Sequence, residues 1–196
     1  MATNIPIQTP NIPRVCLCGQ ARSGTSMMMR VLQAGGLTID TDGREADSTT
    51  IQIFRQPYGF FENIYGINNE IFVNSFKLLK VAKISQVPAD YKFVFIKRDL
   101  AKIKASWAAM GQVYQTLGGH FPTSDRQIEA EDKYNKWQVI LAANPDLFLI
   151  LDYDQICADP ASMATNLANY LNTAAFTFNQ ANAINAVDTN LYINRN

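Results

Sequence analysis

Two short stretches of this chain combine residue types that bind anions. The first is GQARSGTS, residues 19–26, in which two glycines five residues apart frame an arginine and two hydroxyls follow. In a Walker A loop, G-x-x-x-x-G-K-[ST], backbone N–H groups at a helix N-terminus bind phosphate and the lysine reaches the outer phosphates. Here Thr25 stands at the lysine position, so the stretch predicts phosphate binding without the usual equipment for a magnesium-bound triphosphate. The candidate ligands are Gly19, Arg22, Ser23, Gly24, Thr25 and Ser26.

The second stretch is FVFIKRDLAKIKASW, residues 93–107. An apolar run ends in Arg98, and Ser106 follows eight residues later in a segment of helical pattern. Eight residues are slightly more than two helical turns, so both side chains can project from the same side. An arginine and a hydroxyl placed in this way predict a second phosphate site built on charge-assisted hydrogen bonds.

The elements that must position these residues alternate between buried strands and amphipathic helices. Four apolar runs predict strands, over residues 14–19, 76–84, 91–99 and 146–153. Helical spacing predicts helices over 23–34, 65–75, 100–114, 124–143 and 159–172, the fourth starting with a capping box and the fifth with Asp-Pro. This order predicts an α/β fold with a mostly parallel sheet of four to five strands, covered by helices on both faces.

Such a sheet binds ligands at the carboxyl ends of its strands, which is where both stretches begin. We therefore expect the site between residues 19–26 and 98–106. Residues 1–13 predict an extended arm, and the asparagine-rich part from Asn172 onward predicts irregular or partly helical structure. The whole chain, 1–196, is interpreted as a single domain.

The composition excludes several classes of function. Net charge is zero, which disfavours a broad nucleic-acid or anionic-membrane surface. Three cysteines make no disulfide framework, and no His/Cys group has zinc spacing, so no metal is expected. The apolar runs are too short to span a membrane and no signal peptide is recognisable. We expect a soluble, cytoplasmic protein.

Together, RSGTS at 22–26 and RDLAKIKAS at 98–106 resemble the sulfotransferases that use 3′-phosphoadenosine 5′-phosphosulfate. In that family the first motif receives the 5′-phosphosulfate, and the arginine and serine of the second receive the 3′-phosphate. Four other segments resemble segments of bacterial members of the family more weakly: PYGFFEN, FKLLKVAK, LDYDQICADP and VDTNLYINR. The resemblance implies a P-loop NTPase-like three-layer sandwich, closest to small bacterial-type members, and transfer of a sulfuryl group without a metal.

The resemblance also implies roles for catalytic residues. Arg22, with Lys80, would neutralise charge at the leaving phosphate oxygen, and a base would take the proton of a hydroxyl or amine on a small-molecule or carbohydrate acceptor. Glu62, between Phe61 and Asn63, and His120, in a Gly-Gly segment, are the two candidates for the base. Two alternatives stay open: a nucleotide-binding module without catalysis, and a small P-loop nucleotide kinase.

Overall fold

The computed structural model of the chain describes residues 12–40, 74–79, 81–116, 118 and 122–188. Within these ranges four strands form one sheet in which every neighbouring pair is parallel. The strands are β1 (Arg14–Cys18), β2 (Phe76–Leu78), β3 (Tyr91–Lys97) and β4 (Phe148–Asp152), in the order β2-β1-β3-β4. The predicted α/β class and parallel sheet are thereby confirmed.

Six α-helices connect and follow the strands within the described residues. They are α1 (Thr25–Ala34), α2 (Leu100–Thr116), α3 (Thr123–Ala143), α4 (Tyr153–Ala158), α5 (Pro160–Leu171) and α6 (Gln180–Asn185). α5 begins as the sequence predicts, because the Asp159 carboxylate accepts the Ser162 N–H at 3.0 Å and Pro160 occupies the first helical position.

The two faces of the sheet bury different kinds of side chain. On one face, Val15, Leu17 and Val94 join the apolar sides of α1, α5 and α6 in a mainly aliphatic cluster. On the other face, aromatic rings of β3 and β4 pack with Trp137 of α3, whose ring centroid lies 5.1 Å from that of Phe95. Both faces are covered, which explains why the strands read as continuous apolar runs. The arrangement is consistent with a three-layer α/β fold.

The predicted second strand is too long. β2 pairs with β1 over three residues only, from Cys16↔Phe76 to Cys18↔Leu78. The chain then enters a 3₁₀ helix, Val81–Gln86, where the sequence analysis placed the rest of the strand. The reason is that β1 ends at Cys18, so β2 has no strand to pair with beyond Leu78.

Two predicted boundaries also change. The capping box at the start of α3 is wrong: Pro122 precedes the helix, and the Gln127 amide donates instead to the Lys104 carbonyl of α2, at 3.0 Å. The last strand stops at Asp152, because its carboxylate accepts the N–H groups of Asp154 and Gln155, at 2.9 and 3.2 Å, and begins the short helix α4. This helix is not predicted from the sequence.

Other predictions fall mainly outside the described residues. The arm over 1–13 is described only from residue 12, and of the helix predicted over 65–75 only the last two residues are described. Ser75 forms a parallel bridge with Ile39 rather than a helical turn. In the asparagine-rich part, α6 is the helical portion. None of the helices in the described ranges combines the length and apolarity required to cross a bilayer.

Candidate anion-binding site

The candidate site lies where the order of the strands reverses. From β1 the chain passes to β2 on one side and later reaches β3 on the other side, so the loop after β1 and the residue after β3 meet at the same edge. Ligands of open parallel sheets bind at such a switch point. The loop of residues 19–24 and Arg98 both lie here, as the sequence predicts.

Backbone geometry in the loop requires both of its glycines. Gly24 has φ +101° and precedes α1, and a Cβ on it would lie 2.1 Å from the Tyr153 ring. A Cβ on Gly19 would lie 2.8 Å from the Thr25 methyl carbon and 2.9 Å from the Ser23 hydroxyl oxygen. Both glycines therefore lie in close contact with neighbouring side chains. Gly19 approaches side chains of the loop and of the first helical residue, and Gly24 approaches Tyr153.

The N-terminus of α1 lacks two of the features that usually stabilise a helix start. Gly24 provides no side-chain cap, and the first turn contains no acidic residue. Backbone N–H groups and the helix dipole favour an anion at this position. Thr25 is buried, while the half-buried Ser26 brings a hydroxyl to the same turn.

Arg22 joins the two predicted phosphate sites directly. Its Nε donates to the Ser106 hydroxyl at 2.9 Å, and Nη1 of Arg98 donates to the Arg22 carbonyl at 2.7 Å. Arg22 itself adopts a positive φ of +72°, which is uncommon for a residue with a side chain. The loop arginine, the strand-end arginine and the helix serine thus form one hydrogen-bonded cluster.

The guanidinium groups of Arg22 and Arg98 are close enough for the charge of one to act on the other. Burial, followed by the nearby charge of Arg98, lowers the pKa of Arg22 below its ordinary value. Arg98 is buried and lies over the Tyr153 ring, 4.4 Å from its centroid, while Arg22 lies 5.9 Å from the Trp107 centroid. An anion between the two cations would relieve their repulsion, so the electrostatics favour a phosphate or sulfate.

Lys77 is a site residue that the sequence analysis missed. It lies in the middle of β2, is 7% exposed, and directs its ammonium group to the Ser26 hydroxyl at 3.3 Å. The available signal was a lysine inside an otherwise apolar strand, because such a side chain must carry its charge to a polar partner. Lys80, the lysine predicted from the sequence, lies outside the described residues, as do Glu62 and His120.

Ser23 is directed toward the interior of the protein. Its hydroxyl is buried and has no hydrogen-bond partner within the described ranges, and the same holds for the indole N–H of Trp137. Both residues line a small cavity of about 10 Å³ beneath Arg98. Such a volume accommodates about one water molecule. Of the predicted ligands, Ser23 therefore contributes its backbone, rather than this hydroxyl, to the face of the loop.

Carboxylates at the same edge serve as helix caps. The Asp99 carboxylate accepts the N–H groups of Ala101 and Lys102, at 2.8 and 3.2 Å, and Asp152 caps α4 in the same way. No group of three or more potential metal-ligating side chains occurs in the described part of the chain. These two carboxylates are therefore engaged by backbone N–H groups of the chain itself.

Comparison with models of known protein families, with curated proteins and with solved structures finds no match to this chain. A functional assignment therefore depends on the residues of the site and on their geometry.

Proposed function

We propose that this protein is a sulfotransferase with a P-loop-like fold, which moves the sulfuryl group of 3′-phosphoadenosine 5′-phosphosulfate to a hydroxyl or amine acceptor. The observation that carries the proposal is the hydrogen-bonded cluster of Arg22, Arg98 and Ser106. Arg22 lies 76 positions before Arg98 and 84 before Ser106, and the three residues belong to the two motifs that such a donor requires. The two motifs thus act at one place, as an adenosine carrying phosphates at both its 5′ and 3′ positions would need.

The residues of the site fit the donor chemically. The N-terminus of α1 and the glycine loop suit a phosphate oxygen, and the side chains of Arg98 and Ser106 suit a second phosphate. When bound, the donor supplies the sulfuryl group and leaves as adenosine 3′,5′-bisphosphate. Cations at the loop stabilise the charge that develops on the leaving oxygen, while the acceptor proton passes to a base. Glu62 and His120 remain the two predicted bases.

Binding without transfer is the second candidate function. The described cluster accounts for anion binding alone, which a nucleotide-binding module would also need. The nucleotide kinase is less well supported, because Thr25 replaces the Walker lysine and the carboxylates of Asp99 and Asp152 cap helices. Transfer and mere binding are distinguished once an acceptor is found: Glu62→Gln should keep donor binding and lower the rate by about 10²–10⁴-fold. His120→Ala is the matched test of the other base.

Calorimetry with four ligands tests the proposed site. Adenosine 3′,5′-bisphosphate should bind more tightly than adenosine 5′-monophosphate, and also more tightly than ATP with magnesium or inorganic sulfate. Arg98→Ala should remove most of the difference between the first two, because one charge-assisted contact contributes about 1.5–3 kcal/mol. Arg126→Ala, an exposed arginine of α3 paired with Glu129, is the control and should leave both affinities unchanged. Equal affinity of the native protein for the bisphosphate and the monophosphate would refute the proposal.

A further inference from the structure

We propose that Lys77, and not Arg22, is the cation of the loop, and that Arg22 serves the second phosphate together with Arg98 and Ser106. This inference rests on the proposed function. It pairs Arg22 with the 3′-phosphate of the donor, whereas the RSGTS motif of the sulfotransferases pairs the loop arginine with the 5′-phosphosulfate. The contacts in this chain place that arginine against the other half of the site.

The contacts of Arg22 are all with the second half of the site. Nε donates to Ser106, the guanidinium lies near the ring of Trp107 in the next position of α2, and Arg98 holds the Arg22 carbonyl. Arg22 has a positive φ, and its side chain extends to Ser106 of α2. Arg22 and Arg98 together provide two planar, fork-shaped donors, the geometry that suits the oxygens of a phosphate.

Lys77 reaches the first half of the site from the neighbouring strand. It pairs in register with Leu17 of β1, so its side chain lies on the sheet face that α1 covers. The buried stem brings the ammonium group to Ser26, in the first turn of α1. A Walker lysine also places a compact charge at the first turn of the helix after β1. A lysine from β2 thus takes over the role that Thr25 cannot fill.

Three nucleotides separate the roles of Lys77 and Arg22. Adenosine 5′-phosphosulfate probes the loop, and the ratio of the dissociation constants of adenosine 5′-monophosphate and adenosine 3′,5′-bisphosphate measures the second phosphate site. Lys77→Met should weaken adenosine 5′-phosphosulfate about tenfold and leave that ratio within about twofold. Arg22→Ala should lower the ratio about tenfold and affect adenosine 5′-phosphosulfate less than Lys77→Met does.

Lys92→Met is the matched control. Lys92 is a half-buried lysine at the opposite end of β3, where its ammonium group donates to the Tyr170 carbonyl, and its replacement should leave both measurements unchanged. Thermal melting establishes that each variant is folded at the temperature of titration. Because Lys77 is buried, Lys77→Gln, which keeps a polar head, decides the question if Lys77→Met does not fold.

The outcomes are distinct. If Arg22→Ala weakens adenosine 5′-phosphosulfate tenfold and the Lys77 variants do not, the roles follow the motif and the inference is wrong. If both variants weaken both ligands equally, the two cations share one site and the inference is also wrong. Failure of the native protein to bind any of the three nucleotides would refute the proposed function itself, and the inference with it.

Discussion

The arginine that begins β1 and the arginine of the loop after β1 lie at opposite ends of the parallel sheet and contact different kinds of group. At the amino end, Arg14 of β1 forms an ion pair with Asp90 and lies over the Tyr91 ring, 4.8 Å from its centroid. At the carboxyl end, Arg22 bonds a hydroxyl, and Arg98 bonds a carbonyl and stacks on a ring. Arg14 is thus neutralised by a carboxylate, whereas Arg22 donates to a neutral hydroxyl.

At the carboxyl end of the sheet, stability alone would favour negative rather than positive side chains. Helices after parallel strands begin at the carboxyl end, where their dipoles favour negative charge. Asp99 and Asp152 follow that preference at α2 and α4. At α1 the first turn has no acidic residue, and Lys77 contacts it instead. A fold that places cations at a positive helix end loses stability there, and an anionic ligand is the physical reason we infer for it.

The largest effect should come from filling the space beside Gly24. Gly24→Ala should destabilise the fold by about 2–4 kcal/mol. Alanine would have to adopt a left-handed φ at this position, and its Cβ would also collide with the Tyr153 ring. Gly35→Ala, at the other end of α1, is the control: its Cβ would lie 2.0 Å from the Phe178 ring without a positive φ, so about 1–3 kcal/mol is expected.

Urea unfolding measures both losses, and titration with adenosine 3′,5′-bisphosphate at a temperature where both variants are folded measures the site. Only Gly24→Ala should lose binding. Native affinity in a folded Gly24→Ala variant would show that the loop conformation is not needed for the ligand.

Truncating one arginine at each end should separate stability from binding. Arg14→Ala should cost about 1 kcal/mol, from a partly exposed ion pair and a cation–π contact, and leave binding intact. Arg22→Ala should change stability by less than about 0.5 kcal/mol, since the lost hydrogen bond is offset by relief of the repulsion from Arg98.

Melting with increasing sulfate is the measurement. Sulfate should raise the melting temperature of the native protein and of Arg14→Ala, and raise that of Arg22→Ala less. An equal rise in all three proteins would place the anion elsewhere, and the contrast between the two ends would lose its functional meaning.

Alkaline pH should weaken the amino end of the sheet. Burial raises the pKa of Tyr91 to about 12, and its hydroxyl donates to the Asn74 carbonyl at 3.0 Å. Because the folded protein holds this proton more tightly than the unfolded chain, its contribution is complete below about pH 10. That contribution is lost as the pH rises toward 12.

Urea unfolding at pH 9 and pH 11.5 measures this effect, with Tyr91→Phe as the comparison. The variant is expected to be less stable at the lower pH, where it lacks the hydrogen bond, and to lose less stability on going to the higher pH. If the native protein and Tyr91→Phe lose the same stability between the two values, the titration of Tyr91 does not control the amino end.

The smallest effect concerns the strand beneath the loop. Cys16 and Cys18 are completely buried, and burial, followed by a hydrogen bond with Cys18, raises the pKa of the Cys16 thiol. In the native protein a chromogenic disulfide reagent should therefore react with the half-buried Cys157 alone, and Cys157→Ser should remove that reaction. Rapid reaction of Cys18, the last residue of β1, would show that the carboxyl end opens to solvent.

Several features of the fold could be predicted from local sequence. Apolar runs identify β1 and β3 because a strand covered on both faces must be apolar throughout. The run of the edge strand β4 is equally apolar, although Ile150 is exposed. The Asp-Pro pair at 159–160 identifies the start of α5 because a capping carboxylate and a proline satisfy the first turn locally. The glycine spacing of 19 and 24 identifies the loop, since side chains do not fit at either position.

Other features depend on contacts between residues far apart in the chain. The end of β2 depends on where its partner β1 ends. No local pattern indicates that Tyr153 closes over Gly24, because that contact requires β4 and α4 to lie beside the loop.

By itself, the sequence determined the positions of β1, β3 and β4 and of most helices, the glycine loop between β1 and α1 and the residue types of the second motif. The tertiary structure decided which of these residues meet: Arg22 with Ser106, 84 positions away, and Lys77 with Ser26, 51 positions away. The physical reason is that periodicity and capping are local, whereas the strand order β2-β1-β3-β4 results from burying both faces of the sheet. That order places β2 on one side of the loop and β3 on the other. Lys77 of β2 and Arg98, which follows β3, are thereby brought to the same edge of the sheet.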